Sequence, residues 1–275
     1  GRDVALALDA RGPAAAAAPA ASGALLELRN VRVDGPRRAG VVDDVTLSVA
    51  PGEILGIAGV EGNGQTELIE AIAGLTPLAA GSIHVAGHDI AALSVRERGD
   101  AGLSHVPEDR HRRGLVLDYS IADNLVLGRQ HHYTRGLRLD AARIEEHART
   151  RIGEFDIRPA DPKLPARALS GGNQQKVVVA REMGRDFTVL LAAQPTRGVD
   201  VGAIEFIHER IRRAKAEGKA VVLVSADLAE VLALSDRIAV MYGGRIVALL
   251  PRSEASPEVL GPYMTGAAGT PARVA

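Results

Sequence analysis

A serine, two glycines and three amide side chains follow one another in a pattern suited to binding an anion. The stretch consists of Leu169, Ser170, Gly171, Gly172, Asn173, Gln174 and Gln175. An apolar run follows it, which predicts that a helix begins here. A helix N-terminus has free N–H groups and positive dipole character, so it binds phosphate well. The glycines let those amides approach a phosphate closely, and the Ser170 hydroxyl adds one more donor.

A second glycine-rich segment lies between a predicted strand at 54–58 and a predicted helix. It consists of Gly59, Val60, Glu61, Gly62, Asn63, Gly64, Gln65 and Thr66, with Glu67 next in the chain. A strand, a glycine-rich turn and a helix in this order form a nest of amides for phosphate. The P-loop pattern GxxxxGK[ST] is matched except that Gln65 stands in the lysine position. Gln65 brings no charge and Glu61 adds a negative one, so we expect weak nucleotide binding, with Thr66 kept as a Mg²⁺ ligand.

Composition narrows the possible functions. The 275 residues carry 33 Lys+Arg against 34 Asp+Glu, a balance that gives no reason to expect a nucleic-acid partner. The chain has no cysteine, so it has neither disulfides nor a cysteine-based metal site. No segment offers the roughly 18 apolar residues of a spanning helix, and we expect a soluble domain. The eight histidines show no paired metal spacing, and His131 and His132 are interpreted as surface residues.

Predicted strands and helices alternate along most of the chain. The predicted strands are 25–33, 42–49, 54–58, 102–106, 189–193, 220–225, 238–242 and 245–250. The predicted helices are 66–73, 121–130, 141–155, 174–183, 203–216 and 228–233. This alternation predicts an α/β fold with a mostly parallel core sheet and helices on its faces. The strand-rich part up to about residue 88 is expected to form a small antiparallel β subdomain, and residues 108–168 an inserted helical subdomain.

Both ends of the chain differ in composition from its middle. Residues 1–24 include an alanine- and proline-rich stretch that predicts a linker or an arm from a preceding domain. The chain opens without an initiator methionine, which we interpret as the tail of such a domain, with an expression boundary as the alternative. Residues 266–275 are small and polar and are expected to form a mobile tail. The ordered domain is therefore expected to span residues 25–265.

LSGGNQQ closely resembles the signature sequence of ATP-binding cassette (ABC) transporter ATPases. GVEGNGQTEL, VPEDRHRRGL, AAQPTRGVDVGAIEFIH and SADLAEVLALSDRIAVMYGGRI occur in the family's order, and the resemblance covers about residues 25–265. They are most similar to the C-terminal, second cassettes of double-cassette importers for simple sugars and purine nucleosides. The resemblance implies a nucleotide-binding domain for ATP or ADP and Mg²⁺. It also implies an N-terminal cassette on the same polypeptide, membrane permease subunits, an extracellular solute-binding protein and a place at the cytoplasmic face of the membrane.

The resemblance also marks positions where this chain departs from an active ATPase. Ala193 stands where the family has the aspartate that helps hold Mg²⁺, and Gln194 where it has the glutamate that polarises water. Ala226 stands in the position of the family's histidine. Glu108 replaces the glutamine that links the nucleotide to the membrane domain. A neutral amide cannot accept a proton from water, so no intact catalytic residue is expected and this half is predicted to be a pseudo-ATPase.

In the family, the signature stretch does not bind the nucleotide of its own chain. There it acts across a dimer on ATP bound by the partner cassette, and Asp200 lies in the family's D-loop at the dimer seam. Residues 169–175 and Asp200 are complete, so they are predicted to serve the partner cassette's ATP site. The sequence Ala-Ala-Gln (AAQ) at residues 192–194 favours the nucleoside importers over the sugar importers.

Two other hypotheses stay open at this point. One is a true hydrolase that uses Gln194 or an unidentified residue, and the other is a non-transport regulatory or binding module that kept only the fold. The basic run from Arg110 to Arg113 is interpreted as a solvated loop, with a contact to the membrane subunit or to nucleotide as the alternative.

Overall fold

The computed structural model describes residues 23–36 and 38–267. Its strands are β1 (Leu26–Val33), β2 (Val42–Val49), β3 (Ile54–Ala58), β4 (Ala80–Val85), β5 (His88–Asp89), β6 (Leu103–Val106), β7 (Thr134–Arg135), β8 (Arg138–Leu139), β9 (Val189–Ala193), β10 (Ala220–Val224), β11 (Arg237–Tyr242) and β12 (Arg245–Pro251). Its α-helices are α1 (Gln65–Ala73), α2 (Val95–Asp100), α3 (Ile121–Leu125), α4 (Ala141–Glu154), α5 (Gly171–Met183), α6 (Val201–Ala216), α7 (Leu228–Leu234) and α8 (Pro257–Met264). A π-helical turn covers Arg110–Gly114, and 3₁₀ turns cover Gln130–Tyr133, Ala166–Ala168 and Arg252–Glu254. The predicted arm and tail lie almost wholly outside the described residues.

The core is a six-stranded sheet in the order β12-β11-β3-β10-β9-β6. All neighbours in it run parallel except β11 and β12, which form an antiparallel hairpin. Every residue of β3, β9 and β10 is buried, as expected for parallel strands covered on both faces. The prediction of an α/β fold with a mostly parallel core sheet is confirmed.

A separate antiparallel sheet has the order β2-β1-β4-β5. Buried and more exposed residues largely alternate along β1 and β2, because one face of this sheet packs on the core. The predicted antiparallel subdomain is confirmed. Its third and fourth strands were not predicted individually, since β4 begins with three residues that are not buried.

Two helices begin or end three or more residues away from the predicted position. The helix predicted over 121–130 ends at Leu125, and Gly128 beyond it adopts the left-handed region at φ 80°. Helix α5 begins at Gly171, three residues earlier than predicted, because Ser170 is its N-cap. Helix α2 was missed, since it is short and buries only Arg98. Helix α8 was not predicted; it has one proline at its start and another, Pro262, in its interior, where proline disfavours a helix.

Close packing brings the functional loops to one edge of the core sheet. Gly56 in the middle of β3 lies against α7: an added Cβ would come within 2.3 Å of Ser235 Oγ and 2.7 Å of Val231 Cγ1. Glycine is therefore needed here, since a larger residue would push α7 away. Parallel strands β3, β9 and β10 end at the same edge, so the loops after Ala58, Ala193 and Val224 meet there.

Candidate functional site

The loop between β3 and α1 is built to expose backbone amides. Gly62 and Gly64 adopt the left-handed region at φ 89° and 107°, which favours glycine. Gly64 is the N-cap of α1, and no side chain among the described residues caps the helix there. The first N–H groups of α1 are therefore available to an anion. Asn63 ties the loop to the β11–β12 hairpin, since its Oδ1 accepts from the Gly243 N–H at 2.8 Å.

Gln65 is folded back into this loop rather than extended from it. Its Nε2 donates to the Val60 carbonyl at 3.2 Å, and the side chain is almost fully buried. The same carbonyl accepts from Asn63 Nδ2 at 2.9 Å. An added Cβ on Gly59 would lie 2.3 Å from Gln65 Nε2, so the amide fills the inner side of the turn. The position that holds a lysine in an intact P-loop therefore contributes no positive charge.

The charge of the cleft between this loop and the strand ends disfavours a nucleotide that carries no bound cation. The lining of the cleft includes the carboxylates of Glu61 and Glu108, and among the described residues that line it there is no lysine or arginine. Glu67, in the first turn of α1, is not among the lining residues. A triphosphate placed here would meet like charges at short range, which disfavours binding without a cation.

Glu108 and Thr66 bring two oxygen atoms together beside this loop. Glu108 Oε2 accepts from the Thr66 hydroxyl at 3.0 Å, and Glu108 Oε1 accepts from Arg197 Nη1 at 2.9 Å. Neighbouring ligands in an octahedral Mg²⁺ site with bonds of 2.0–2.1 Å lie about 2.9 Å apart. Thr66 and Glu108 therefore fit Mg²⁺ as two adjacent ligands, and the carboxylate offers an oxygen that Ala193 does not.

The end of β9 carries no group that can take a proton from water. Ala193 is buried, and Gln194 follows it with φ 48°, a conformation that non-glycine residues adopt rarely and that occurs at functional turns. The side-chain oxygen of Gln194 accepts from the Ala226 N–H at 2.9 Å, and its backbone N–H donates to the Val224 carbonyl at 2.7 Å. Gln194 therefore joins the ends of β9 and β10, and its amide carbonyl is already engaged.

A buried polar cluster supports the turn after Gln194, and sequence reasoning missed it. Glu230 Oε1 accepts from the Thr196 hydroxyl at 2.8 Å and lies 2.8 Å from His208 Nε2. Glu230 is almost fully buried, so these contacts offset the cost of enclosing its carboxylate. The available signal was a glutamate on the apolar face of the short helix α7, next to Val231 and Leu234.

The signature residues divide into tethers and an exposed face. Gln175 Nε2 donates to the Pro195 carbonyl at 2.8 Å, and Gln174 Nε2 donates to the Ala166 carbonyl at 3.2 Å. Leu169 is buried. Ser170 is exposed and its Oγ accepts from Asn173 Nδ2 at 3.0 Å. The tethers fix the start of α5 and leave Ser170 exposed at its N-terminus.

Gly171 and Gly172 stand at positions where neighbouring side chains leave little room for a Cβ atom. A Cβ on Gly172 would lie 2.6 Å from Asp200 Oδ2, and a Cβ on Gly171 would lie 3.0 Å from Arg110 Nη2. Asp200 caps α6, since its Oδ1 accepts from the Ala203 N–H at 2.9 Å. Asp200 therefore lies beside the signature helix, as the resemblance implies. We call Ser170, Gly171, Gly198 and Asp200 the signature face.

Arg110 contacts the signature face, whereas the rest of the basic run, His111 to Arg113, is exposed to solvent. Arg110 Nη1 donates to the Arg197 carbonyl at 2.8 Å, and Arg110 Nη2 donates to the Gly198 carbonyl at 3.3 Å. Arg113 pairs with Glu70 on α1 at 2.9 Å. The signature face and the phosphate loop are separate surfaces, because no residue of the signature face lines the cleft at that loop.

A groove of about 380 Å³ lies beside the nucleotide cleft and is lined by α2, β6, α5 and residues 127–129. His105 on β6 lines this groove and also a neighbouring cavity that contains Glu108. Burial lowers the pKa of His105 from 6.5 to about 4, with Arg113 and Arg181 acting in the same direction and Glu182 opposing them. The imidazole is therefore neutral in the folded chain at neutral and mildly acidic pH.

This pKa predicts how stability changes with acid. Between pH 6.5 and 4 the unfolded chain binds a proton at His105 that the folded chain does not, so stability falls as the pH falls. From pH 7 to pH 5 we expect His105 to contribute a loss of about 1–2 kcal/mol, discounted for its partial solvent contact. Urea denaturation of the parent chain and of His105→Gln at pH 7 and pH 5 measures this loss as a difference in the free energy of unfolding. An equal loss in the two proteins would contradict the assignment.

A glycine-rich loop at a strand end, an antiparallel β subdomain and a separate signature helix together define an ATP-binding cassette domain. A family model described as ABC transporter matches residues 42–197. The chain therefore belongs to the ABC transporter family. No helix in the described part of the chain is long and apolar enough to cross a membrane.

Similar proteins agree with that assignment. The guanosine import ATP-binding protein NupO of Bacillus subtilis (strain 168) is 44% identical over 270 residues, which cover 97% of this chain and 51% of NupO. The glucose import ATP-binding protein TsgD13 of Haloferax volcanii is 45% identical over 246 residues, covering 88% of this chain and 45% of TsgD13. A solved ATP-binding subunit of an ABC transporter has the same fold, with a TM-score of 0.70, 23% identity, and coverage of 88% of this chain and 99% of that one. The chain spans about half the length of the curated relatives it matches.

Proposed function

We propose that this chain is the C-terminal cassette of a double-cassette ABC importer for nucleosides or simple sugars. Its own ATP site is degenerate, and its signature face completes the ATP site of the partner cassette. The observation that carries this proposal is the contrast between the two surfaces. The cleft at the phosphate loop has lost its basic and catalytic side chains, whereas the signature helix keeps its serine cap, with Ser170 exposed.

The state of the chain's own site supports binding more than hydrolysis. Backbone amides after Gly64 remain available to phosphate, and Thr66 with Glu108 can hold Mg²⁺. The bound cation would neutralise part of the charge that Gln65 no longer neutralises. Gln194 cannot act as a general base, and Ala193 provides no metal ligand. We infer that ATP or ADP binds here weakly, with Mg²⁺, and is not turned over.

Double-cassette architecture is supported by length and by similarity. Each matched relative has about as much chain outside the match as inside it, enough for a second cassette. We propose an N-terminal cassette on the same polypeptide, an arm over residues 1–24, a cassette over 25–265 with a helical subdomain at about 108–168, and a mobile tail at 266–275. The wide match to a guanosine importer and the AAQ phrase favour nucleosides over sugars.

Partners at the membrane follow from the same assignment. We propose permease subunits that hold the cassette at the cytoplasmic face of the membrane, and a solute-binding protein on the other side. The groove beside β6 is the candidate contact for a permease, because Pro107 and Arg113 line both it and the cavity that contains Glu108. The segment that contains Glu108 therefore runs between the nucleotide cleft and the groove.

The test compares ATP hydrolysis by this chain alone with hydrolysis by the complete two-cassette protein. The isolated chain is assayed with Mg²⁺ over a range of concentrations that permits self-association. We expect at most about 1% of the rate of the complete protein, because loss of the general base alone removes roughly 10²–10⁴-fold. Hydrolysis by the isolated chain at the rate of the complete protein would overturn the proposal. Binding of ATP by titration, with and without Mg²⁺, shows separately whether the site is occupied.

A further inference from the structure

Three side chains that are far apart in the sequence converge at the rim of the groove. Asp100 ends helix α2, and His131 and His132 lie in the 3₁₀ turn Gln130–Tyr133. Asp100 Oδ1 is 3.6 Å from His131 Nε2 and 3.5 Å from His132 Nε2. The three ligand atoms all lie within 4.8 Å of one another. From sequence alone the histidines were interpreted as surface residues, because the carboxylate that joins them comes from another element.

These distances match the spacing of ligands around a small tetrahedral ion. With bonds of 2.0–2.1 Å to imidazole nitrogen and carboxylate oxygen, tetrahedral ligands lie about 3.3–3.4 Å apart. The two observed separations, 3.5 and 3.6 Å, exceed that spacing by about 0.1–0.3 Å. They are at or beyond the limit of an ordinary hydrogen bond, so direct hydrogen bonding does not explain the convergence.

A second observation points to a missing partner. His131 Nε2 is shielded from solvent and has no hydrogen-bond partner among the described residues. The centroids of the two imidazole rings are 4.0 Å apart and the rings are tilted by 40°, so the two side chains lie side by side without stacking flat. A buried imidazole nitrogen without a partner is costly, and a metal ion would satisfy it together with its neighbours.

We infer that Asp100, His131 and His132 bind a divalent transition-metal ion, with Zn²⁺ the best fit. Two imidazoles and one carboxylate are a ligand set that Zn²⁺ uses, with water in the fourth position. Ni²⁺ and Cu²⁺ compete for imidazole ligands, whereas Mg²⁺ and Ca²⁺ prefer oxygen-only sites. The positive charge of Arg96 near His131 reduces the affinity, so micromolar dissociation constants are expected rather than those of a structural zinc finger.

Binding at this place would connect two parts of the fold. Asp100 comes from α2, which packs beside β6 of the core, and both histidines come from the segment 108–168 that is proposed as the helical subdomain. Asp100 also lines the groove between them. The ion would therefore hold the 3₁₀ turn against α2 at the rim of the groove.

The test measures Zn²⁺ binding by equilibrium dialysis and by titration calorimetry on the complete chain without a histidine tag. We expect one Zn²⁺ per chain, and affinity at least tenfold weaker in His131→Ala, His132→Ala and Asp100→Asn, since each removes a ligand. His88→Ala is the matched control, because His88 is also exposed but lies on β5. It should change affinity less than twofold. Unchanged binding in the three ligand variants, or equal weakening in the control, would show adventitious binding and overturn the inference.

Two further readouts distinguish a built site from loose surface binding. Co²⁺ in place of Zn²⁺ should give the visible absorption of a tetrahedral complex, and each of the three ligand variants should lose it. Free Zn²⁺ at about 100 times its Kd should raise the melting temperature by about 5–10 °C in the parent chain and in His88→Ala. The octahedral spectrum of hydrated Co²⁺, or a thermal shift that survives in His131→Ala, would contradict the site.

Discussion

Replacing Gly171 with aspartate, or Ser170 with arginine, in the complete two-cassette protein should reduce ATP hydrolysis and solute uptake by about 100-fold or more. Ser170 caps α5. A Cβ added at Gly171 would lie 3.0 Å from Arg110 Nη2 and 3.1 Å from the Gly198 carbonyl oxygen. A side chain at Gly171 therefore has no room inward and must project from the signature face. Aspartate at Gly171 would repel the γ-phosphate of the ATP bound by the partner cassette. Arginine at Ser170 would occupy the space that this γ-phosphate needs. Steady-state ATPase and uptake assays measure the loss.

Ser256→Arg is the matched control for the loss of a helix cap. Ser256 caps α8 through the Val259 N–H, as Ser170 caps α5 through the Asn173 N–H. Both changes should cost about 1 kcal/mol of stability. Only the change at Ser170 should stop hydrolysis, and the nucleotide affinity of this chain alone should be unchanged by it. Normal turnover in Ser170→Arg and Gly171→Asp would mean that the signature face does not serve a partner's ATP.

Restoring the chain's own site should have the opposite effect. A quadruple variant, Gln65→Lys, Ala193→Asp, Gln194→Glu and Ala226→His, returns the phosphate charge, the Mg²⁺ ligand, the general base and the histidine of the family pattern. We expect hydrolysis by the isolated chain to rise by roughly 10²–10⁴-fold, the range that a general base contributes. Phosphate release by the purified chain measures it.

The single variant Gln65→Lys is the informative comparison. It adds one positive charge to a cleft that has none, so it should tighten ATP binding. It should leave turnover nearly unchanged, because Gln194 still cannot take a proton. A parent chain that already hydrolyses ATP as fast as the quadruple variant would contradict the degenerate site, and so would a large gain from the lysine alone.

Features set by neighbouring residues could be predicted from the sequence. The loop at 59–66 is a turn because of its glycines, and a helix after the signature stretch was predicted from its apolar run, although the Ser170 cap starts it three residues earlier than predicted. Buried parallel strands were evident as short aliphatic runs, such as Val189–Ala193 and Ala220–Val224. These signals lie within ten residues, so they do not depend on how the chain folds back on itself.

Features that depend on long-range contacts could not be predicted. The pairing of Thr66 with Glu108 spans 42 residues, and Arg110 reaches the Gly198 carbonyl across 88. The contact of Glu230 with the Thr196 hydroxyl spans 34 residues and forms only when α7 packs against the turn after β9. In each case the side chain's partner comes from another element, and its role follows from tertiary packing alone.

Arg197 is held at both ends, and its two contacts connect the phosphate loop with the signature face. Its guanidinium is bound by Glu108, which also binds Thr66 at the phosphate loop, and its carbonyl accepts from Arg110, which lies against Gly171. A nucleotide and Mg²⁺ that draw Glu108 toward themselves would free the side chain of Arg197, whose backbone carbonyl is bound by Arg110 next to Gly171. Under the proposed function, occupancy of this chain's own cleft would thereby alter the ATP site of the partner cassette, which gives the chain a reason to bind a nucleotide that it does not hydrolyse.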